Sequence, residues 1–306
     1  MRILFAGTPA TAATVLESMV SSGHEVVAVL TREDALTGRK KVLTQSPVAD
    51  AATKFNIPVI KANKVDEAIL QQIAEHKPDL AIVVAYGVIL RAGALEAIPN
   101  GWFNLHYSLL PKYRGAAPVQ HSLLAGEKET GVTLFKIDQG LDTGDILGSV
   151  STLIGPDENA GELLTRLTQL GVSLLNAELP ALYSGAFKLQ AQTGSSSVAP
   201  KISRANAKID FDLTSQRISD RVRAMNPEPM AWCLFGEEPM RVLRGRAVSN
   251  SPVVLQKGEV RVLENAVYVG CGEQEAIELL EVQPASKTAM SAKDWANGLL
   301  GTTTLR

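Results

Sequence analysis

Asn104 and His106 stand two residues apart in the largely apolar run Trp102-Phe103-Asn104-Leu105-His106. Side chains two apart on a strand project from the same face. A strand here sets an amide, donor and acceptor at once, beside an imidazole that changes charge near neutral pH. Such a pair can hydrogen-bond a polar substrate and move a proton. The run gives way to a loop stiffened by Pro111 and turned at Gly115. Polar chemistry at the carboxyl end of a buried strand is where open α/β sheets keep their active sites. On spacing alone, His106 reads equally as a catalyst or as a hydrogen-bonded core histidine.

Three carboxylates, Asp138, Asp142 and Asp145, crowd the loop Asp138-Gln139-Gly140-Leu141-Asp142-Thr143-Gly144-Asp145. Their spacing does not match a calcium-binding EF-hand loop and lacks its closing Glu, so no metal is expected. One of them can meet His106 across the sheet edge and set its tautomer or charge; others can cap the turn. Gly7-Thr8-Pro9 lacks the second and third glycines that let a pyrophosphate approach, which excludes a dinucleotide cofactor. Arg39-Lys40-Lys41 follows Gly38 in a long polar stretch, and is either a phosphate clamp or solvated surface. Arg244 and Arg246, with Lys257 and Arg261, read as a weak basic stripe for nucleic acid or as ordinary surface.

The elements that must position these groups follow from periodicity. Strands are expected at 2–6, 25–30, 57–60, 80–85 and 102–106, alternating with helices at 10–22, 47–55 and 66–76. That alternation predicts an α/β fold, a doubly wound Rossmann-like, mostly parallel sheet. Strands at 131–137 and 145–151 and a long helix over 160–182 complete a first domain at 1–188. The polar segment 189–207 reads as a linker. A helix at 213–225, five short strands between 232 and 282 and a capped helix from Ser291 suggest a smaller OB-like β-barrel domain at 208–306.

With 306 residues, 45% hydrophobic and 20% charged, the chain has the balance of a soluble globular protein. The longest apolar run, 80–90, is too short to span a bilayer, so no membrane association is expected. Cys233 and Cys271 are far apart and without metal-type spacing, which with the absence of a signal-like N-terminus points to the cytoplasm. The net charge is −2, with 16 basic and 19 acidic residues up to position 200 and 14 and 13 after it. Any contact with a polyanion must therefore be local.

The pattern Asn104-x-His106-x-Ser108-Leu109-Leu110-Pro111-x-Tyr113-Arg114-Gly115, with Asp142 in Leu141-Asp142-Thr143-Gly144-Asp145, resembles the folate-dependent formyltransferases. Phe5-Ala6-Gly7-Thr8-Pro9, the Gly38-Arg39-Lys40-Lys41 loop and Ala85-Tyr86-Gly87 match further along. So do Ile209-Asp210-Phe211, Arg223-Ala224-Met225-Asn226-Pro227 and Ala289-Met290-Ser291-Ala292, so the resemblance covers nearly the whole chain. It implies Asn104, His106 and Asp142 as the catalytic set. It also implies Ser108, Leu109, Leu110 and Pro111 as a folate wall, and Arg39, Lys40 and Lys41 as contacts to tRNA. The implied co-substrate is 10-formyltetrahydrofolate and the implied partner methionyl initiator tRNA, handled by a monomer; a small amine, an amino sugar or a glycinamide nucleotide, is the alternative acceptor. The chain departs from the family pattern at Thr11, Phe211, Met225 and Glu228, and at Lys40, where a second glycine is usual.

Overall fold

The computed structural model describes residues 1–38, 40–299 and 303–306. It divides into two compact units, Met1–Pro118 with Glu129–Thr152 and Leu164–Ala199, and Val119–Lys128 with Leu153–Leu163 and Pro200–Arg306.

In the first unit the strands are β1 (Ile3–Gly7), β2 (Val26–Thr31), β3 (Ala35–Thr37), β4 (Val42–Thr44), β5 (Val59–Lys61), β6 (Leu80–Val84), β7 (Trp102–His106), β8 (Glu129–Lys136) and β9 (Ile146–Leu153). Seven of them form one sheet in the order β5-β2-β1-β6-β7-β8-β9. The pairs from β5 to β7 are parallel and β8 turns antiparallel to β7. A parallel sheet is covered on both faces, so its strands are continuous apolar runs rather than alternating ones. β1 and β6 are buried at every position. The order reverses between β1 and β6, a topological switch point of the kind that opens a crevice at the carboxyl ends of the strands.

The helices α1 (Ala10–Ser21), α2 (Pro47–Lys54), α3 (Glu67–Glu75), α4 (Ala92–Glu96), α5 (Pro118–Leu124) and α6 (Ala160–Ser184) follow the strands. Ser46 caps α2 by accepting from the Ala49 N–H, and Asp66 caps α3 through the Ile69 N–H. The polar stretch 31–46 contains a hairpin instead of a plain loop: β3 and β4 pair with Leu36 opposite Leu43. Periodicity misses it because these strands face solvent, with Leu36 63% and Leu43 65% exposed.

The second unit is a small antiparallel barrel, built from β10 (Trp232–Phe235), β11 (Glu238–Val248), β12 (Glu259–Leu263), β13 (Ala266–Gly270), β14 (Ala276–Gln283), β15 (Met290–Ser291) and β16 (Thr303–Thr304). Its order is β10-β11-β14-β13-β12-β16, with β15 beside β14. Leu234 and Arg306 exchange backbone hydrogen bonds of 2.5 and 2.9 Å, which joins the last strand back to β10 and nearly closes the barrel. Closure removes the exposed sheet edge. The sequence alone shows no strand after residue 282, because Thr303 and Thr304 lack apolar alternation. Helix α7 (Ser215–Met225), capped by Thr214, packs Ile218, Val222 and Met225 into the barrel core with Val242, Val267 and Ile277. Helix α8 (Ala292–Ala296) starts at Ser291, whose hydroxyl accepts from the Asp294 N–H. Burial pushes the Cys233 thiol up to about 12 and that of Cys271 up to about 11, so neither is a nucleophile at neutral pH.

Candidate active site

The carboxyl ends of β1, β6 and β7 carry Gly7-Thr8, Ala85-Tyr86-Gly87 and His106. Thr8 Oγ1 donates to the Tyr86 carbonyl at 3.0 Å, tying the first two ends together. Tyr86 is buried and donates its hydroxyl to Ala62 O at 2.8 Å. Burial pushes its phenol up to about 12, with Arg32 opposing, so it stays protonated and structural.

His106 is 5% exposed and Asp142, on the turn between β8 and β9, 18%. The two meet with His106 Nδ1 3.7 Å from Asp142 Oδ2. His106 Nε2 lies 2.9 Å from the Tyr113 carbonyl. A carbonyl only accepts, so Nε2 carries the proton and in the neutral ring Nδ1 is a bare lone pair. Burial lowers the His106 pKa below its usual 6.5, against the opposing pulls of Asp142 and the Tyr113 carbonyl. Two proton acceptors thus face each other, too far apart to share a direct hydrogen bond. An N–H group set between them can donate to either. Asn104 points from the same face of β7 and is only half-buried; its amide makes no hydrogen bond to the described residues.

Asp142 adopts a left-handed backbone, φ +51°. Its carboxylate accepts from the Gly115 N–H at 2.7 Å, which aims it at the loop beyond β7. Gly115 has φ +120°, and a Cβ there would lie 2.8 Å from the Ala199 carbonyl, so no side chain fits. Of the other acidic residues, Asp138 is occupied as a turn cap, accepting from Gly140 N–H at 3.0 Å and Thr143 Oγ1 at 2.7 Å.

The loop 108–111 is fixed from behind by a residue that sequence reasoning missed. Thr133, opposite His106 in the β7–β8 register, donates to Ser108 O at 2.7 Å and accepts from the Leu110 N–H at 3.2 Å. The Ser108 hydroxyl is fully buried and donates to Lys112 O at 2.6 Å, so it faces into its own loop. Leu109 and Pro111 are half-buried and Leu110 buried, which makes the loop's side chains apolar. A Thr133→Val substitution leaves the Leu110 N–H and the Ser108 carbonyl unpaired in a buried place. We expect it to cost about 1–3 kcal/mol of stability, read by urea unfolding; an unchanged midpoint would show that the loop holds itself.

The segment 189–207, expected as a linker, is bonded to the first unit over its first half. Ile146 and Gln190 exchange backbone hydrogen bonds of 2.8 and 2.9 Å. Arg114 N–H donates to Ser197 O at 2.9 Å and Ala199 N–H to Arg114 O at 2.7 Å. For this reason the first unit runs past 188 to Ala199. Nothing in its Gly- and Ser-rich composition signals such contacts.

Of the basic residues singled out, Arg39 lies outside the described residues, and Lys40 and Lys41 are exposed at the tip of the β3–β4 hairpin. Each cation of the stripe in the barrel faces a carboxylate. Arg244 pairs with Glu162, Arg246 with Glu278, Lys257 with Asp212 and Arg261 with Glu259. Exposed pairs of this kind are weak and leave the cations open to other anions.

Two family models match, the formyl transferase model over residues 1–179 and the formyl transferase C-terminal domain over 201–300. The chain is 44% identical over 306 residues to the methionyl-tRNA formyltransferase of Paenarthrobacter aurescens (strain TC1), covering 98% of this chain and 97% of the relative. It is 43% identical over 298 residues to that of Arthrobacter sp. (strain FB24), covering 97% of each. The chain belongs to the methionyl-tRNA formyltransferase family. A crystal structure of an N-formyltransferase from Helicobacter canadensis, in complex with folinic acid and dTDP-3-aminofucose, has the same fold. It superposes with a TM-score of 0.69 at 21% identity over 92% of this chain and 98% of that one. No described helix is long and apolar enough to cross a membrane.

Proposed function

We propose that this chain transfers the formyl group of 10-formyltetrahydrofolate to the α-amino group of methionine esterified to initiator tRNA. What carries this reading is identity of 43–44% along almost the entire length with methionyl-tRNA formyltransferases. The small-amine alternative is supported by sugar N-formyltransferase structures no more than 21% identical, a likeness of fold.

Asn104, His106 and Asp142 are the proposed catalytic set. Attack of an amine on a formyl carbon builds negative charge on oxygen and leaves the nitrogen with a proton to lose. Collapse of the adduct then breaks the bond from the formyl carbon to the folate nitrogen, which takes up a proton as tetrahydrofolate leaves. The Asn104 amide, with no hydrogen bond to the described residues, donates to the oxyanion. The acceptor pair His106 Nδ1 and Asp142 Oδ2 stands ready for the amine proton. His106 enters neutral, because its burial disfavours the imidazolium. No protein nucleophile is needed.

Leu109, Leu110 and Pro111 give the folate an apolar wall, and Ser108 shapes it through the Lys112 carbonyl rather than by touching the folate. The bound donor supplies an N-linked formyl group. The first unit is the catalytic domain, the barrel holds the tRNA body, and Arg39, Lys40 and Lys41 reach the acceptor end. The enzyme works as a cytoplasmic monomer. An Arg39→Ala variant should lower kcat/KM for tRNA and reduce the log–log salt slope by about 1, since one phosphate fewer is neutralised, with folate binding unchanged. An unchanged salt slope would make the hairpin tip ordinary surface.

Competition tests the acceptor. Offered charged initiator tRNA and a nucleotide-linked amino sugar together with the donor, the enzyme should formylate the tRNA; preferential formylation of the sugar would overturn the assignment.

A further inference from the structure

Gln192 lies in the segment whose composition suggests only a tether, yet all of its amide is engaged beside the candidate catalytic pair. Its Nε2 donates to the Asp142 carbonyl at 2.9 Å and the Gly144 carbonyl at 2.8 Å. Its Oε1 accepts from Arg114 Nε at 3.2 Å and Nη2 at 2.6 Å. One planar group thereby fastens the Asp142 turn to the loop after β7. The same loop, one residue either side of Arg114, supplies the two contacts that orient the pair. Tyr113 O accepts from His106 and Gly115 N–H donates to Asp142. The result is a closed circuit from His106 through Tyr113, Arg114, Gln192 and Asp142 back to the Gly115 N–H, all within the first unit.

The turn needs such a fastening. Asp142 sits at φ +51°, a conformation that costs a non-glycine residue energy unless its surroundings impose it. At Gly144 a Cβ would run into the Lys136 carbonyl, so the turn is also held tight against β8. The 3.7 Å gap between His106 Nδ1 and Asp142 Oδ2 is set by where this turn stands. A proton acceptor displaced by about 1 Å can lose about 10²-fold in rate without any change in its own chemistry.

We propose that Gln192 is a positioning residue for formyl transfer, its side-chain amide holding the Asp142 turn at the distance from His106 at which both can accept the proton of one amine. This rests on the formyl-transfer activity proposed above. Arg114 contributes through Gln192: its guanidinium fixes the Oε1 end, so the Nε2 end can only face the turn.

Two variants separate positioning from scaffolding. Gln192→Ala removes both ends of the clamp. Gln192→Glu keeps an oxygen for Arg114 but cannot donate to the Asp142 and Gly144 carbonyls. Both should lose about 10- to 100-fold in kcat for formylation of charged initiator tRNA. KM for donor and for tRNA should stay within about 3-fold and melting temperatures within about 4 °C of wild type. The inference is overturned if either variant keeps wild-type kcat. It is equally overturned if the loss appears in KM, or if in both variants it tracks a fall in folded protein. A wild-type enzyme that transfers no formyl group overturns instead the activity on which the inference rests, and the inference with it.

Discussion

Replacing Asp142 or His106 by alanine should slow formyl transfer by about 10²–10⁴-fold, the usual loss for a positioned acid–base group. The expectation follows from the geometry of two acceptors 3.7 Å apart. Removing either leaves the other without its counterpart and the amine proton with one poorly oriented destination. The double variant should lose little more than the worse single one, because groups that act as a unit are not additive. Rapid-quench measurement of formylmethionyl-tRNA under single-turnover conditions reads the chemical step directly. Near-normal rates in either single variant would remove that residue from the mechanism. The pH dependence carries its own sign. His106 acts neutral and its pKa lies below 6.5, so the acid limb of the rate profile should fall below pH 6.5, not at it. The same shift links to stability. The unfolded chain binds this proton near 6.5 and the folded chain only at lower pH. The contribution of the neutral ring is therefore present above pH 6.5 and lost as pH falls through the folded value.

The largest effect on stability is expected in the second unit, where Asp220→Ala should cost about 3–5 kcal/mol. Asp220 and Arg223 lie one turn apart on α7, with side chains 3% and 8% exposed and Oδ1 2.6 Å from Nη2. Gln216 donates a second hydrogen bond to the same oxygen at 2.9 Å. Arg223 Nη1 also reaches the Gly155 and Glu158 carbonyls, at 3.3 and 3.4 Å. Removing the carboxylate strands a guanidinium that burial prevents water from solvating. A native domain has only about 5–15 kcal/mol in hand, so the loss is a large share of it. The half-exposed pair Arg244–Glu162 is the contrast: its disruption should cost no more than about 1 kcal/mol. Urea titration of both variants reads the difference. Equal midpoints would mean that Asp220 and Arg223 are no better buried in solution than the surface pair.

Much of the fold is legible in the sequence because a parallel sheet writes itself as apolar runs. β1, β6 and β7 are all such runs, and the shared face of Asn104 and His106 follows from a period of two. Asp142 is different. Spacing offers three carboxylates without choosing, and only the family pattern picks the one that meets His106. Periodicity says nothing of Thr133, whose role arises from strand register, nor of Gln192, whose partners lie 48–78 residues away. The hairpin at 35–44 and the closing strand at 303–304 fail for another reason. Short exposed or polar strands carry no burial pattern, and their identity comes from the neighbour they pair with. Charge is legible only in part. Spacing does not show that Arg244, Arg246, Lys257 and Arg261 each stand beside a carboxylate.

Formyl transfer to the tRNA-borne amine is read by following the formyl group itself. Wild-type enzyme in excess, given 10-formyltetrahydrofolate labelled in the formyl carbon and methionyl initiator tRNA, should place the label on the methionine nitrogen. Deacylation should then release labelled N-formylmethionine. Label remaining on the folate, or appearing only as free formate, would contradict it.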